Sequence, residues 1–298
     1  MVVASSPLND LLSVFSMHAF VVKNLHTCDG LLLSPPSRNY GRTSFHLVSE
    51  GICNLEITGK KSLQLKAGDL VLFPRQMPHK LYDVEKNNAS NKAGALCAYL
   101  SFDNPQVNSF LDVLPDIVLV PYIEKTKSWI DPLLKLIIIE SDSPELPLII
   151  NKLSEILFVR ILKYYIDNHQ SLGILDLYTD SLTSKALSAI HKDIAKNWQL
   201  EELAGLCSVS RTTLANRFKK LSGMSPMEYL VWWRMQTAWK KLKNREAVIE
   251  VAETVGYQSV SAFSKNFKKI FGVGPGEVRR QHFAEFDPTK VENNQKNT

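Results

Sequence analysis

Residues 248–272 read VIEVAETVGYQSVSAFSKNFKKIFG. Phe263, Phe267 and Phe271 recur at i, i+4 and i+8, so they form one buried face of a helix. Ser261, Ser264, Lys265 and Lys268 fall on the opposite face. Ser259 is placed to cap that helix. Ala252 is small enough for a second helix to cross closely, and Gly256 supplies a turn. The pattern is two short helices joined by a tight bend. An earlier stretch, LEELAGLCSVSRTTLANRFKKLSG at 200–223, repeats it. There Leu203, Leu206 and Cys207 line one helix, and Ser208-Val209-Ser210 makes the turn. Leu214, Phe218 and Leu221 form the buried face of the next helix. Arg211, Thr212, Asn216, Lys219 and Lys220 face outward. The ends of the two stretches match, RFKKLSG against NFKKIFG. Each is followed by a proline, Pro226 or Pro275, that opens a new helix.

Ser225-Pro226-Met227-Glu228 is a capping box with proline at the first helical position. It predicts a helix from Pro226 to Lys243, which spans roughly 27 Å at ~1.5 Å per residue. One turn of B-DNA is ~34 Å. One chain can therefore set two such units into successive major grooves. Charge supports this. The whole chain carries 35 basic and 30 acidic side chains in 298 residues. Residues 184–284 hold 17 basic and 8 acidic ones, and residues 1–183 hold 16 and 19. The excess positive charge sits in the segment with the paired units, which implies a polyanionic partner. A helix with an apolar back and a polar, basic front suits a major groove.

Residues 184–283 resemble the AraC/XylS-type transcriptional regulators. The stretches that carry the resemblance are 200–223, GMSPMEYLVWWR at 223–234, and VIEVAETVGYQS…F…FKKIFGVGP at 248–275. The resemblance implies sequence-specific binding of double-stranded DNA and transcriptional activation through contact with RNA polymerase. It places base contacts on Thr212, Ala215 and Asn216 of the first unit and on Val260, Ser261, Ser264 and Lys265 of the second. Phosphate contacts fall on Arg211, Arg217, Lys219 and Lys268. The first set offers no arginine for guanine, whereas Asn216 suits the N6/N7 edge of adenine.

The N-terminal half reads differently. Between residues 20 and 103, short apolar runs are broken by turn signals such as Thr58-Gly59-Lys60-Lys61 and Ala67-Gly68-Asp69. Ile52, Leu55 and Ile57, then Leu63 and Leu65, alternate across a hairpin turn at Thr58-Gly59. Evenly spaced short strands indicate an antiparallel barrel or double-sheet jelly roll. Gly68 to His79 (GDLVLFPRQMPH) resembles the second cupin motif, with Gln76 where the motif has glycine. Phe45 to Gly51 (FHLVSEG) resembles the first motif, with Val48 where metal-binding cupins have a second histidine. The likeness covers about residues 7–125. It implies that His46 and His79 face the lumen, where Cys97 could join them to hold Zn or Cu(I). Glu50 stands where the family often has a further ligand. Cys28 and Cys97 are also candidates for a reversible disulfide, and Cys53 and Cys207 read as structural.

Residues 128–168 return to helical spacing. Leu153, Ile156, Leu157, Val159, Ile161, Leu162 and Tyr165 form an apolar stripe opposite Lys152, Glu155, Arg160 and Lys163. This helical pair packs either on the barrel or against a second subunit.

The expected fold is thus two-domain: an all-β cupin or jelly-roll barrel with appended helices, then an all-α double helix-turn-helix. The boundaries are 1–125 for the cupin, 126–170 for a helical dimerisation and relay segment, 171–184 for a linker, 185–283 for the DNA reader and 284–298 for a polar tail. The expected function is a cytoplasmic, homodimeric regulator whose cupin senses a small molecule, metal or oxidant. The alternatives are a ligand-independent dimeriser and a metal-dependent enzyme. Four cysteines without a CxxC exclude a disulfide scaffold. No apolar run reaches the ~18 residues of a membrane span, and GxxxxGK[ST], GxSxG and HExxH are absent.

Overall fold

The computed structural model describes residues 7–15, 17–23, 31–33, 43–75, 77–84, 93–106, 111–141, 147–169 and 173–280. The chain divides into two compact units. One comprises residues 17–102 and 114–170. The other gathers 171–284 together with two segments from the first half of the chain, 1–16 and 103–113.

The first unit is a pair of antiparallel sheets. The five-stranded sheet has the order β1 (Met17–Lys23), β8 (Gly94–Phe102), β3 (Thr43–Glu50), β6 (Leu70–Phe73), β9 (Val118–Val120). The four-stranded sheet has the order β2 (Leu31–Leu33), β7 (His79–Asp83), β4 (Ile52–Ile57), β5 (Leu63–Lys66). This is the double-sheet architecture expected of the alternating runs. The Thr58-Gly59 hairpin joins β4 to β5, with Cys53 opposite Leu65 and Leu55 opposite Leu63. One phase differs from the reading above. Cys53, Leu55 and Ile57 face the core, and Ile52 is 41% exposed. Strand side chains alternate with period two, so Ile52 cannot share a face with Leu55.

Two helices cover this unit, α2 (Glu124–Ser141) and α3 (Pro147–Asn168). Leu157, Phe158, Ile161 and Leu162 are buried, and the Phe158 ring meets Phe102 of β8 edge-on at 5.6 Å. The stripe therefore packs on the barrel. Ile156, counted in that stripe, instead points out at 47% exposure.

The second unit is helical. Its elements are α1 (Pro7–Val14), α4 (Asp176–Thr179), α5 (Thr183–Lys192), α6 (Leu200–Leu206), α7 (Arg211–Ser222), α8 (Pro226–Lys243), α9 (Val248–Thr254), α10 (Val260–Phe271) and α11 (Pro275–Arg280). The stretch 171–184, read as an aperiodic linker, folds into a 3-10 turn (Gly173–Leu175), α4 and the start of α5. Leu175, Leu177 and Tyr178 are buried there. Four-residue helices are too short to display a period, which is why the sequence hides them. The polar tail lies outside the described residues.

Segments from the first half dock on the reader. Leu11, Val14 and Phe15 of the N-terminal segment are buried, and Phe15 packs edge-on against Trp232. Asn104 and Gln236, both fully buried, share a 2.7 Å hydrogen bond. Trp239 Nε1 donates to the Asp103 carbonyl at 3.0 Å. The domain boundary at 125 thus does not follow the packing, because 1–16 and 103–113 belong with the helices.

A buried polar chain anchors α1. His191 Nδ1 donates to Asp10 Oδ2 at 3.1 Å, and His191 Nε2 accepts from the Tyr229 hydroxyl at 2.8 Å. Tyr178 then donates to Tyr229 at 2.8 Å. Burial lowers the His191 pKa to about 4 against the partial support of Asp10. The unfolded chain takes up that proton near 6.5. Between these values the unfolded state binds more protons, so acid favours unfolding. The contribution is intact above ~6.5 and is lost as pH falls toward 4. Urea titrations across pH 6.5 to 4.5 are expected to show the helical unit losing about 1.4 kcal/mol per pH unit from this group. His191→Gln should flatten that slope; an equal slope in the variant would refute the assignment.

Candidate functional site

Each recognition helix is set up by its own cap and turn. Ser210 Oγ accepts from the Thr213 amide and opens α7. Ser259 Oγ does the same for Ala262 and opens α10. The α7 helix ends at Gly223 and α10 at Gly272, both in the left-handed conformation. Leu214 and Phe218 are buried under α7, and Phe263 and Phe267 under α10. The helix between them, α8, runs from Pro226 to Lys243 and is capped reciprocally by Ser225 and Glu228. Those are the bounds and the cap read from the sequence.

The outward faces carry the expected residues. Thr212 and Asn216 are exposed on α7, and Ala215 is half-buried. Val260, Ser261 and Lys265 are exposed on α10, and Ser264 is half-buried. Ala215 and Ser264 occupy the same position in the two helices, the fifth. Lys219 and Lys268, the ninth residue of each, are both exposed.

Two of the four phosphate candidates are engaged within the protein. Arg211 is exposed but pairs with Glu201 of α6. Arg217 directs Nε and Nη2 at Asp180 Oδ2. Asp180 also accepts from the Leu182 and Thr183 amides at 3.1 and 3.0 Å. These bonds, Arg217's included, hold the Asp180 carboxyl below its usual range despite partial burial. Arg217 thereby ties α7 to the start of α5, which is a scaffold task. No local pattern signals this pairing, because Asp180 lies 37 residues away.

In the sheet unit, the two motif histidines meet. His46 stands on β3 and His79 on β7, one in each sheet, and their Nε2 atoms lie 2.7 Å apart. His79 Nδ1 is 2.6 Å from the Met77 carbonyl, which can only accept. His79 Nε2 is then bare, so His46 Nε2 carries the proton and donates. That leaves His46 Nδ1 as a lone pair, fully buried and without a hydrogen-bond partner. Phe73 stacks on His79 at 4.0 Å and meets His46 edge-on. Burial, and next the neighbouring His79, hold the His46 pKa well below its usual value. Burial also lowers that of His79, with the Met77 bond opposing.

This arrangement does not fit the metal centre anticipated for His46, His79 and Cys97. Two imidazole nitrogens on one tetrahedral zinc, each at ~2.05 Å, stand ~3.3 Å apart. Here they are at hydrogen-bond distance. Cys97 pairs in register with His46 on the neighbouring strand β8 and lies buried in an apolar cluster with Val71, Phe73 and Cys53. Among the described residues, no three of His, Cys, Asp and Glu are grouped to hold a metal ion. Glu50 is exposed at the end of β3. Cys28, the other half of the anticipated disulfide, lies outside the described residues, as does Gln76. Cys53 and Cys207 are buried, as structural cysteines should be.

Comparison with known proteins accounts for both halves. The Cupin family profile matches residues 6–167, and that of the Helix-turn-helix domain matches 203–281. A protein of Streptomyces lividans named as an AraC-like transcription regulator is 31% identical over 267 residues, covering 79% of this chain and 86% of its own. The RCS-specific HTH-type transcriptional activator RclR of Escherichia coli K12 is 27% identical over 244 residues, covering 80% and 84%. The crystal structure of ToxT from Vibrio cholerae O395 aligns with 90% of this chain and 97% of its own, at 16% identity and a TM-score of 0.37. With a cupin fold ahead of two helix-turn-helix units joined by one long helix, and relatives named as transcriptional regulators, the chain belongs to the AraC-type family of DNA-binding transcription regulators.

Proposed function

We propose that the protein activates transcription by setting α7 and α10 into two successive major grooves of one duplex. The observation that carries this is the pair of recognition helices, alike in cap, core and exposed front, held by one helix of 18 residues. Activation itself draws on the relative named as an activator, and contact with RNA polymerase is the route proposed for it. The cytoplasm is the compartment this role requires; no helix among the described residues is long and apolar enough to cross a membrane.

Thr212, Ala215, Asn216, Val260, Ser261, Ser264 and Lys265 read bases in this scheme. Lys219 and Lys268 contact phosphates, Arg211 does so in exchange for Glu201, and Arg217 acts through the scaffold. Each phosphate contact contributes about 0.9 to the slope of log K against log salt. Lys219→Ala/Lys268→Ala should therefore lower the slope by about 1.8 without changing site preference. A titration of operator binding between 50 and 300 mM salt with an unaltered slope would remove both lysines from the phosphate contacts.

The cupin unit receives the signal at the His46–His79 pair in this reading. The support is the uncompensated His46 Nδ1, an acceptor that a small donor molecule would satisfy. A thiol route through Cys28 and Cys97 is the second reading, favoured by the relative whose name carries RCS specificity. Peptide mass mapping before and after oxidant treatment distinguishes the two. The ligand-independent dimeriser predicts no response to either.

Dimerisation is assigned to α2 and α3. Leu136, Ile139, Leu148 and Ile156 are 46%, 55%, 62% and 47% exposed. A second copy would cover that apolar surface through a two-fold axis. Ile139→Glu/Ile156→Glu should convert a dimer into a monomer in sedimentation equilibrium. An unchanged mass would move the interface elsewhere.

A further inference from the structure

The two readers are not joined by α8 alone. Arg234, near the middle of α8, extends its guanidinium into the loop that leads from α5 into α6. Nε donates to the Ile194 carbonyl at 2.9 Å, and Nη2 donates to the Lys196 and Ala195 carbonyls at 2.8 and 3.3 Å. That loop delivers the chain to the first helix-turn-helix. Cζ of the same guanidinium lies over the Tyr257 ring, 5.9 Å from its centre. Tyr257 sits in the turn of the second helix-turn-helix, between α9 and α10.

The turn presses on the same loop. Gly256 has φ +84°, and a Cβ there would fall 2.5 Å from the Ala195 carbonyl oxygen and 2.8 Å from Arg234 Nη2. Only glycine tolerates both the conformation and the approach. From Tyr257 the connection continues into the reader. The Tyr257 hydroxyl accepts from Asn266 Nδ2 at 3.0 Å, and the ring packs edge-on against Phe263 at 5.6 Å. Asn266 is the seventh residue of α10, the position that Arg217 holds in α7. Arg217 ties the first reader to Asp180, and Asn266 ties the second to Tyr257. Arg234 bridges the loop entering the first unit and the turn of the second.

We propose that Arg234 is a positioning residue that fixes the separation of the two recognition helices, and so the spacing between the two DNA boxes the protein accepts. The reason lies in the chemistry of the fork. A planar guanidinium can hold three carbonyls and a ring face at once, whereas an ammonium is a point donor on a flexible stem. Arg234→Lys keeps the charge and loses the bridge. The turn of the second unit then keeps its close approach at Gly256 but loses the side-chain tie through Tyr257.

The proposal rests on both helices entering one duplex. It is tested with the full-length chain and with duplexes obtained by in vitro selection on the wild-type protein. Equilibrium binding is measured for the selected duplex, for versions with one or two base pairs added or removed between the boxes, and for a duplex keeping only the first box. The wild type should bind the selected spacing best by a wide margin. Arg234→Lys should lose about tenfold at that spacing, bind the altered spacings no worse than wild type, and keep wild-type affinity for the single box. Tyr257→Phe, which removes only the acceptor for Asn266, should flatten the profile in the same sense and covers the case in which Arg234→Lys fails to fold. A spacing profile identical to wild type in both variants overturns the proposal. A parallel loss at every spacing and on the single box also overturns it, because that marks a merely structural residue. If the wild type itself shows no spacing preference, the reading of two helices on one duplex fails instead.

Discussion

Phe267→Ala should unfold the second helix-turn-helix under conditions where the wild type is intact. Phe267 is fully buried. Its ring lies parallel to Trp239 at 6.0 Å and packs against Phe263 at 5.6 Å and Phe271 at 4.6 Å. Truncating a buried phenylalanine costs about 3–5 kcal/mol through lost transfer energy and the cavity left behind. A domain of this size has only ~5–15 kcal/mol in total. The expected result is a fall in the melting temperature of the helical unit on the order of 20 °C, followed through tryptophan fluorescence, and loss of operator binding at 37 °C. The sheet unit has its own core and should keep its melting behaviour. A variant that melts within a few degrees of wild type would mean that the aromatic ladder is not the core of the second reader.

Asn216→Ala should change which base is preferred at one position of the first box. Asn216 is exposed in the second turn of α7. Its amide can donate to and accept from adenine at once, and such a bidentate contact discriminates by about 1–3 kcal/mol. Alanine should therefore reduce preference at that position by roughly five- to 150-fold while leaving the other positions unchanged. Lys268→Ala is the natural contrast. It removes a point charge from the phosphate backbone, so all sequences weaken together and the salt slope falls by about 0.9. Binding-site selection on each variant separates the two. An unchanged consensus for Asn216→Ala would take this residue out of base readout.

Legibility in the sequence followed the range of the interaction. Caps, turns and helix faces of α7, α8 and α10 are local, so Ser210, Ser225, Ser259 and the phenylalanine ladder could be read off directly. The two cupin motifs located His46 and His79 for the same reason. Their relation could not be read. Whether they share a proton or a metal depends on how closely two sheets approach, and the pair at 2.7 Å is set by packing across 33 residues. In β4 it is Cys53 that shares the core face with Leu55 and Ile57, and the more apolar Ile52 beside it obscures that phase. The docking of 1–16 and 103–113 on the helices was invisible. The Asn104–Gln236 bond spans 132 residues, and no periodicity marks a contact of that range. Arg217 shows the same limit. Its charge and position suggest phosphate, and only the fold supplies Asp180.

In the proposed function, one chain reads two successive major grooves at a fixed distance. It is tested most directly by inserting five base pairs, half a turn of B-DNA, between the two boxes of a selected operator and measuring the affinity of the full-length protein. Affinity should fall to that of a duplex with a single box, because α7 and α10 can no longer face the same side. Affinity equal to that for the unaltered operator would contradict it.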